Sequence, residues 1–293
     1  MRTLLVILGV VGFFSAALGG DDFHARTNTI YKDLLAKGIA VTDTQSLKLP
    51  APAMPDRLDK AGQLAALKQL AGDDYQIEDL VRAAIVAPHI FKFRELDASA
   101  TDARGRAVGV WFVAHGNLDK LTTKTLQTQF ASGSTRVTSI SDADLLRRKI
   151  KVKAEPGLEE SYMHGVGTLL DRVRIHSTNH GMISRGKDSI VAASRLDTRF
   201  TKDADFPNLW RSVSIKDDGK EELGPVNPYE GAGGYIRLTR LHEPPGAIFV
   251  EVHQVFLEPK KWFDAPNMLK SKLPIVIQSE VRAFRKDLTK LSK

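Results

Sequence analysis

Residues 235–257 read YIRLTRLHEPPGAIFVEVHQVFL, and this stretch decides the fold. Apolar and polar residues alternate along 235–241, as is typical of a strand with one buried face. Residues 248–257 are rich in β-forming side chains. The segment 243–247 between them, EPPGA, contains two prolines and a glycine, which are turn-forming residues. The stretch therefore predicts an antiparallel β-hairpin.

The register of this hairpin depends on the length of its loop. A two-residue loop would place Leu238 opposite Glu251, which mixes apolar and charged residues on one face. A three-residue loop over 244–246 pairs Leu238 with Val252 instead, and Gly246 can adopt the left-handed conformation that such loops require. We prefer the second register, which also pairs Arg237 with His253. Its two faces carry Ile236, Leu238, Val250 and Val252 on one side, and Arg237, Thr239, Glu251 and His253 on the other.

Other segments of the chain have the same β-rich pattern. They are 89–96, 107–114, 167–177 and 189–200, with glycine, asparagine and proline residues between the later ones. Residues 108–114 are apolar enough for a central strand. The economical interpretation is one antiparallel sheet that includes the 235–257 hairpin.

The chain ends in a predicted amphipathic helix. Its apolar residues recur at helical spacing and form one stripe, which we expect to pack on the sheet: Ile277, Val281, Phe284, Leu288 and Leu291. Two more helices are expected early in the chain, from about Asp56 to Gly72 and from Asp73 to Pro88. Shorter helices are expected at 121–130 and 142–149, the second capped by Ser141.

The first residues have the layout of a secretory signal peptide. Arg2 precedes an apolar run over 4–14, and small residues at 15–19 place the expected cleavage after Gly19. The apolar run is shorter than the roughly 20 residues of a membrane-spanning helix, so no transmembrane segment is expected after cleavage. The domain prediction is a signal peptide at 1–19, an extended proline-rich lead-in at 20–55 and a single α+β domain at 56–293.

Composition and missing motifs exclude many functions. The chain has 293 residues, 42% of them hydrophobic, and a formal net charge of +7, so it is globular and modestly basic. It has no cysteine, which excludes disulfides, thiolate nucleophiles and thiolate metal sites. We find no nucleophile elbow, phosphate loop or zinc-protease motif. The chain also has no Asn-x-Ser/Thr triplet, so N-glycosylation gives no support for a eukaryotic secreted protein. Together with the signal peptide, this predicts a periplasmic or extracellular protein of a bacterium. From the missing motifs and the modest charge we predict no cofactor and no nucleic-acid partner.

Basic residues recur on the predicted strands and form one candidate site. Arginines on an exposed sheet face often only keep it soluble, but a continuous stripe of them would bind a phosphate, sulfate or carboxylate. The candidate anion-binding residues are Arg172, Arg174, Arg195, Arg199 and Arg237.

Acidic and histidine residues form two further candidate sites. Glu251 and His253 are two apart on one strand, so they share a face and would suit acid–base chemistry inside a cleft. An ordinary polar strand face is the alternative, since Arg237 is expected nearby. His176 and His180 have a spacing that chelates metals on a helix but not on a strand. We therefore interpret His180 as a turn residue at 179–181 and predict no metal site.

Four short blocks carry a resemblance to known proteins: VWFVA at 110–114, GTLLDRV at 167–173, GAGGY at 231–235 and SKLP at 271–274. They resemble blocks of uncharacterised exported proteins from planctomycete-type bacteria, which implies export and no known activity. Separately, antiparallel strands closed by a long C-terminal helix resemble the helix-grip architecture of START-like lipid-binding domains. This analogy concerns the fold alone.

Three functions agree with these observations. The first is a non-enzymatic envelope or extracellular protein that binds an apolar or amphipathic molecule between sheet and helix. Its cavity should be lined by Ile236, Leu238, Val250, Val252, Val281 and Phe284. The second is a hydrolase of an envelope polymer that uses Glu251 and His253, or the His176 region, beneath the long segment 201–234. The third is a purely structural or protein-binding component.

Overall fold

The computed structural model describes residues 22–42, 44–96, 103–123, 126, 136–152, 157–263 and 267–291. Its helices are α1 (Phe23–Thr27), α2 (Thr29–Ala36), α3 (Lys60–Ala71), α4 (Ile77–Leu80), α5 (Asp142–Arg147) and α6 (Met268–Leu291). Its strands are β1 (Ile39–Ala40), β2 (Ser46–Leu47), β3 (Ile90–Leu96), β4 (Ala103–His115), β5 (Arg136–Ser139), β6 (Leu158–Leu169), β7 (Val173–Arg185), β8 (Ser189–Leu196), β9 (Leu209–Ile215), β10 (Glu221–Leu223), β11 (Asn227–Pro228), β12 (Ala232–Arg240) and β13 (Ala247–Pro259). No helix within these described ranges is long and apolar enough to cross a bilayer.

Eleven strands form one antiparallel sheet. Its main path runs β10-β9-β7-β8-β12-β13-β4-β3, while β6 lies on the other edge of β7 and carries β5. Strand β11 pairs with β9, and β1 and β2 form a separate small sheet. The expected α+β class with a large antiparallel sheet is confirmed.

The C-terminal helix α6 packs on one face of this sheet. Its buried residues Val281, Phe284 and Leu288 join a core formed by β4, β8, β12 and β13. The Phe284 ring meets Phe112 of β4 edge to face, with 5.5 Å between ring centroids. Burial of one such side chain contributes roughly 1.5–3 kcal/mol. The expected stripe and the helix-grip arrangement are therefore confirmed.

The opposite face of the sheet is covered by the N-terminal strap, which we define as residues 22–56. Tyr31 and Leu34 of α2 are fully buried there against the β8 and β12 side chains. The rings of Tyr31 and Tyr235 meet edge to face at 5.0 Å. Farther along this face, α3 packs on Trp111 and Phe249.

The extended conformation expected for 20–55 is wrong for its first part, which contains α1 and α2. Both helices begin at strong caps: the Asp22 carboxylate accepts from the His24 amide, and the Asn28 side chain accepts from the Tyr31 amide. Tertiary burial of His24 in α1 and of Tyr31 and Leu34 in α2 then stabilises helices that would be too short to form alone.

The hairpin register differs from the expected one by two residues. The structure pairs Leu238 with Val250 and Arg237 with Glu251. The Leu241 amide donates to Ala247 O at 2.9 Å, so the loop covers 242–246 and holds both prolines, which have no N–H for the ladder. A shift of two preserves the sides of a strand, so the predicted composition of both faces is confirmed.

Three further segments differ from the sequence-based expectation. The strand expected at 167–177 is instead a β6–β7 hairpin, whose turn has Leu170 and Asp171 at positive φ. The helix expected at 73–88 is reduced to α4, followed by turns. The helix expected at 56–72 is α3, which begins one turn later because Asp59 caps it.

Two more short helices and a signal peptide are expected from the sequence. The helix at 142–149 is confirmed as α5, with Ser141 as its cap. Residues 1–19 and most of 121–130 lie outside the described residues.

Candidate functional site

Two adjoining cavities lie between α6 and the sheet. The larger has a volume of about 590 Å³ and extends under the first half of α6 towards β6 and the β6–β7 turn. The smaller, about 210 Å³, lies under the middle of the helix. Both are lined by Asn179, Ser194, Ala232, Gln254 and Glu280, so they meet along these residues.

The cavities exist because the sheet presents small side chains here. Neighbouring strands each contribute such residues to the lining: Gly165 and Gly167 of β6, Ser177 and Gly181 of β7, Ala192 and Ser194 of β8, and Ala232 and Gly234 of β12. Where the sheet carries Ile190, Leu238 and Ile248, side chains fill the space beneath α6 and form the core. The large and small side chains thus divide the interface into a packed part and an open part.

The predicted cavity lining is confirmed for five of its six residues. Ile236, Val250 and Val252 line the smaller cavity from the sheet. Val281 and Phe284 line it from α6. Leu238 does not line it, because this side chain is fully buried in the packed part of the core.

A polar cluster, defined as Asn179, Ser194, Gln254 and Glu280, lies where the two cavities meet. Glu280 is half-buried, and this desolvation raises the pKa of its carboxyl group. The Asn179 amide donates to Ser177 Oγ at 3.1 Å, which leaves its carbonyl oxygen for another donor. Sequence reasoning missed this cluster. The sequence feature that could have revealed it is the acidic residue Glu280, which lies three residues after Ile277 and four before Phe284 inside an apolar stripe.

On the opposite face, the structure brings together the predicted residues Arg237, Glu251 and His253. Glu251 is fully buried and accepts hydrogen bonds from the Ala53 amide at 2.7 Å, the Met54 amide at 3.2 Å and Trp111 Nε1 at 3.3 Å. His253 Nε2 lies 3.8 Å from Glu251 Oε1, beyond hydrogen-bond distance. Glu251 therefore anchors the N-terminal strap to the sheet.

Arg237 belongs to the same buried anchor. Its Nη2 donates to Asp56 Oδ1 at 2.6 Å, and its Nη1 lies 3.8 Å from Asp22. His24 is held between the hydroxyls of Ser184 and Ser189, each at 2.7 Å, and burial lowers its pKa to about 4. These groups are covered by the strap, so they hold it in place rather than face a cleft.

The other predicted arginines are separated from this anchor and mostly paired with carboxylates. Arg174 donates to Glu221 at 2.7 Å, and Arg195 lies 3.6 Å from Asp33. Arg199 pairs with Asp197, and Arg172 is exposed at the β6–β7 turn. These four arginines do not form a continuous stripe with Arg237, and anion binding at the exposed ones stays a prediction.

The two histidines considered as metal ligands have different surroundings. His180 stacks on Tyr162 and contacts Glu160 at 2.6 Å, within β7 rather than in the expected turn. His176 lies beside His164, with ring centroids 5.8 Å apart. Among the residues that the structure describes, no three side chains of metal-ligating type converge.

A separate cavity of about 660 Å³ lies near the end of α6, beside residues 83–86. Its ionisable side chains are already engaged. His115 Nε2 contacts Val81 O at 2.8 Å, and Arg285 donates to the carbonyl oxygens of Val113 and Pro88, both at 2.8 Å. The polar cluster beneath α6 therefore has more capacity to orient a ligand.

Comparison with known proteins gives structural matches only. No family model and no curated protein sequence matches the chain. The human StarD13 (DLC2) lipid transfer and protein localization domain is similar with a TM-score of 0.40 and 7% identity, over 68% of this chain and 84% of that one. Human STARD10 is similar with a TM-score of 0.33 and 7% identity, over 85% of each chain.

Proposed function

We propose that this chain is an exported, non-enzymatic protein that binds an amphipathic small molecule between its sheet and α6. The observation that carries the proposal is the pair of adjoining cavities, which have apolar walls and a polar cluster where they meet. The larger cavity, at about 590 Å³, is within the range of about 300–1,000 Å³ typical of small-molecule sites.

The apolar walls account for affinity in this proposal. A ligand tail against Val252, Ile277 and Phe284 gains about 0.8 kcal/mol for each methylene that it removes from water. The polar cluster then fixes the position of the head group, because a few convergent polar groups orient a ligand in an otherwise apolar pocket.

The packing of α6 also supports ligand binding. Its second half is held by the buried residues Val281, Phe284 and Leu288. The start of its first half is held by buried Leu269, but farther along Ile275 is 65% and Val276 37% exposed, and Val276 lines the larger cavity. Fewer apolar contacts lower the cost of local opening, so we place ligand exchange beneath the stretch of the helix around Ile275 and Val276.

Export is proposed from residues 1–19 alone, whose charge and apolar run follow the pattern of a signal peptide. The protein would then act in the bacterial periplasm or exterior. Expression with and without residues 2–19 fused to a reporter tests this: the intact chain should reach the periplasm, and a cytoplasmic reporter in both cases would contradict export.

Native mass spectrometry of residues 20–293, produced by export, tests ligand binding. We expect an adduct that is lost on denaturation, and binding of the neutral apolar probe N-phenyl-1-naphthylamine after delipidation. Ser194→Phe fills the junction of the cavities and should weaken probe binding by about tenfold or more. Ser214→Phe, an exposed position on β9, is the matched control and should leave it unchanged. A clean polypeptide mass together with no probe binding would refute the proposal.

A further inference from the structure

The charge of the cavity lining differs from that of the whole protein. The chain has a formal net charge of +7. Among the described residues, the two cavities are lined by the carboxylates of Glu280 and Asp171 and by no lysine or arginine. His253 also borders the smaller cavity, but its ring packs against Trp111 and Tyr235. Asp171 is exposed at the β6–β7 turn, whereas Glu280 is half-buried where the cavities meet. The electrostatic surroundings of a ligand head group are therefore neutral to negative.

Glu280 is placed for contact with a ligand. It follows Ile277 by three residues and precedes Phe284 by four, so all three lie on one face of α6. That face lines the smaller cavity. Within the described part of the chain, no side chain or amide donates a hydrogen bond to the Glu280 carboxylate. Desolvation without a partner is unfavourable for a carboxylate, and a bound hydrogen-bond donor would offset this cost.

The rest of the polar cluster is compatible with such a donor. Ser194 and Gln254 line both cavities from the sheet side, beside the free carbonyl oxygen of Asn179. These groups are neutral and can both donate and accept hydrogen bonds, so a donor head group finds acceptors among them. No cation is present among them to neutralise an anionic head group.

We infer that the ligand is an amphiphile whose head group donates hydrogen bonds and carries no negative charge, such as an alkyl ammonium or an alcohol, with Glu280 as its acceptor. The inference rests on the proposed function, because it assigns the ligand class of the same cavity. An alkyl carboxylate, sulfate or phosphate is disfavoured there, since like charges repel strongly where water is partly excluded.

Displacement of N-phenyl-1-naphthylamine by three ligands of equal chain length tests the inference. We expect dodecylammonium and dodecanol to displace the probe at concentrations about tenfold or more below that of dodecanoate, at neutral pH and below their micellar concentrations. Comparison of the ammonium with the alcohol separates the effect of charge from that of hydrogen bonding.

Glu280→Gln retains an acceptor oxygen and removes the charge. It should weaken dodecylammonium binding by about tenfold and strengthen dodecanoate binding, with less than about threefold change for dodecanol. Asp287→Asn is the matched control, because it changes the same charge on α6 outside the cavity lining and should preserve the wild-type order.

The outcomes separate this inference from the proposed function. If the probe binds but all three ligands displace it equally, or dodecanoate binds best, the ligand class is wrong and the binding function stands. If Glu280→Gln and Asp287→Asn have the same effect, Glu280 is not the acceptor. If the probe does not bind at all, the proposed function itself fails.

Discussion

Glu251 should be among the largest single contributors to the stability of this fold, because it joins the N-terminal strap to the sheet. The side chain is fully buried on β13. It accepts hydrogen bonds from the Ala53 and Met54 amides of the strap and from Trp111 on β4. Glu251→Ala removes all three acceptor contacts and leaves two backbone N–H groups without this partner.

The expected loss follows from these contacts. A hydrogen bond to a charged group contributes about 1.5–3 kcal/mol, and the two longer contacts should lie at the low end. Truncation of one partner in a buried charged network costs about 3–5 kcal/mol, so we expect a loss in that range. Glu251→Gln keeps the shape of the side chain but turns its amide NH2 group towards one of the donors, so we expect a loss of stability of about 2 kcal/mol.

Urea unfolding of the purified chain measures this loss, and Glu243→Ala is the control. Glu243 lies in the loop of the same hairpin, is 60% exposed and pairs with exposed Lys60, so its removal should cost less than about 0.5 kcal/mol. Hydrogen exchange should also accelerate at the Ala53 and Met54 amides in Glu251→Ala. Equal unfolding midpoints for the two alanine variants would refute the anchoring role.

Two other predictions concern pH and anions. Burial lowers the folded-state pKa of His24 to about 4 from 6.5, so the unfolded chain binds more protons between these values. The free energy of unfolding should therefore fall by about 3 kcal/mol because of His24 as the pH drops from 6.5 to 4. His24→Gln should make the urea concentration at the unfolding midpoint depend less steeply on pH. Arg172→Glu combined with Arg174→Glu should lower the salt concentration that elutes the protein from a heparin column; an unchanged elution would remove the anion-binding hypothesis.

Local patterns predicted much of the fold. The alternation in 235–241 and the turn residues of 243–247 correctly assigned Leu238 and Arg237 to opposite faces, although the register was wrong by two residues. Face assignment survives such an error because the side-chain period of a strand is two. The lining residues Val281 and Phe284 were also predictable, because the helical period places them on one face.

Other features depended on contacts between distant parts of the chain. The strap helices α1 and α2 are too short for their own propensity to stabilise them, and they form because His24 of α1 and Tyr31 and Leu34 of α2 are buried against the sheet. The role of Glu251 was likewise hidden, because its partners Ala53 and Met54 lie about two hundred residues earlier. A polar strand residue has the same local sequence whether it faces water or a covering segment.

The sequence by itself determined that 235–241 and 248–257 form antiparallel strands, that the chain ends in a helix, and which side chains of these elements share a face, because these properties follow from periods of two and 3.6 residues along the chain. Only the tertiary structure decided that small residues on four strands align beneath α6 to leave a cavity, and that Glu280 lies where its two parts meet. The physical reason is that empty space depends on which side chains become neighbours across the sheet. That adjacency is set by strand order and packing, which no local period encodes.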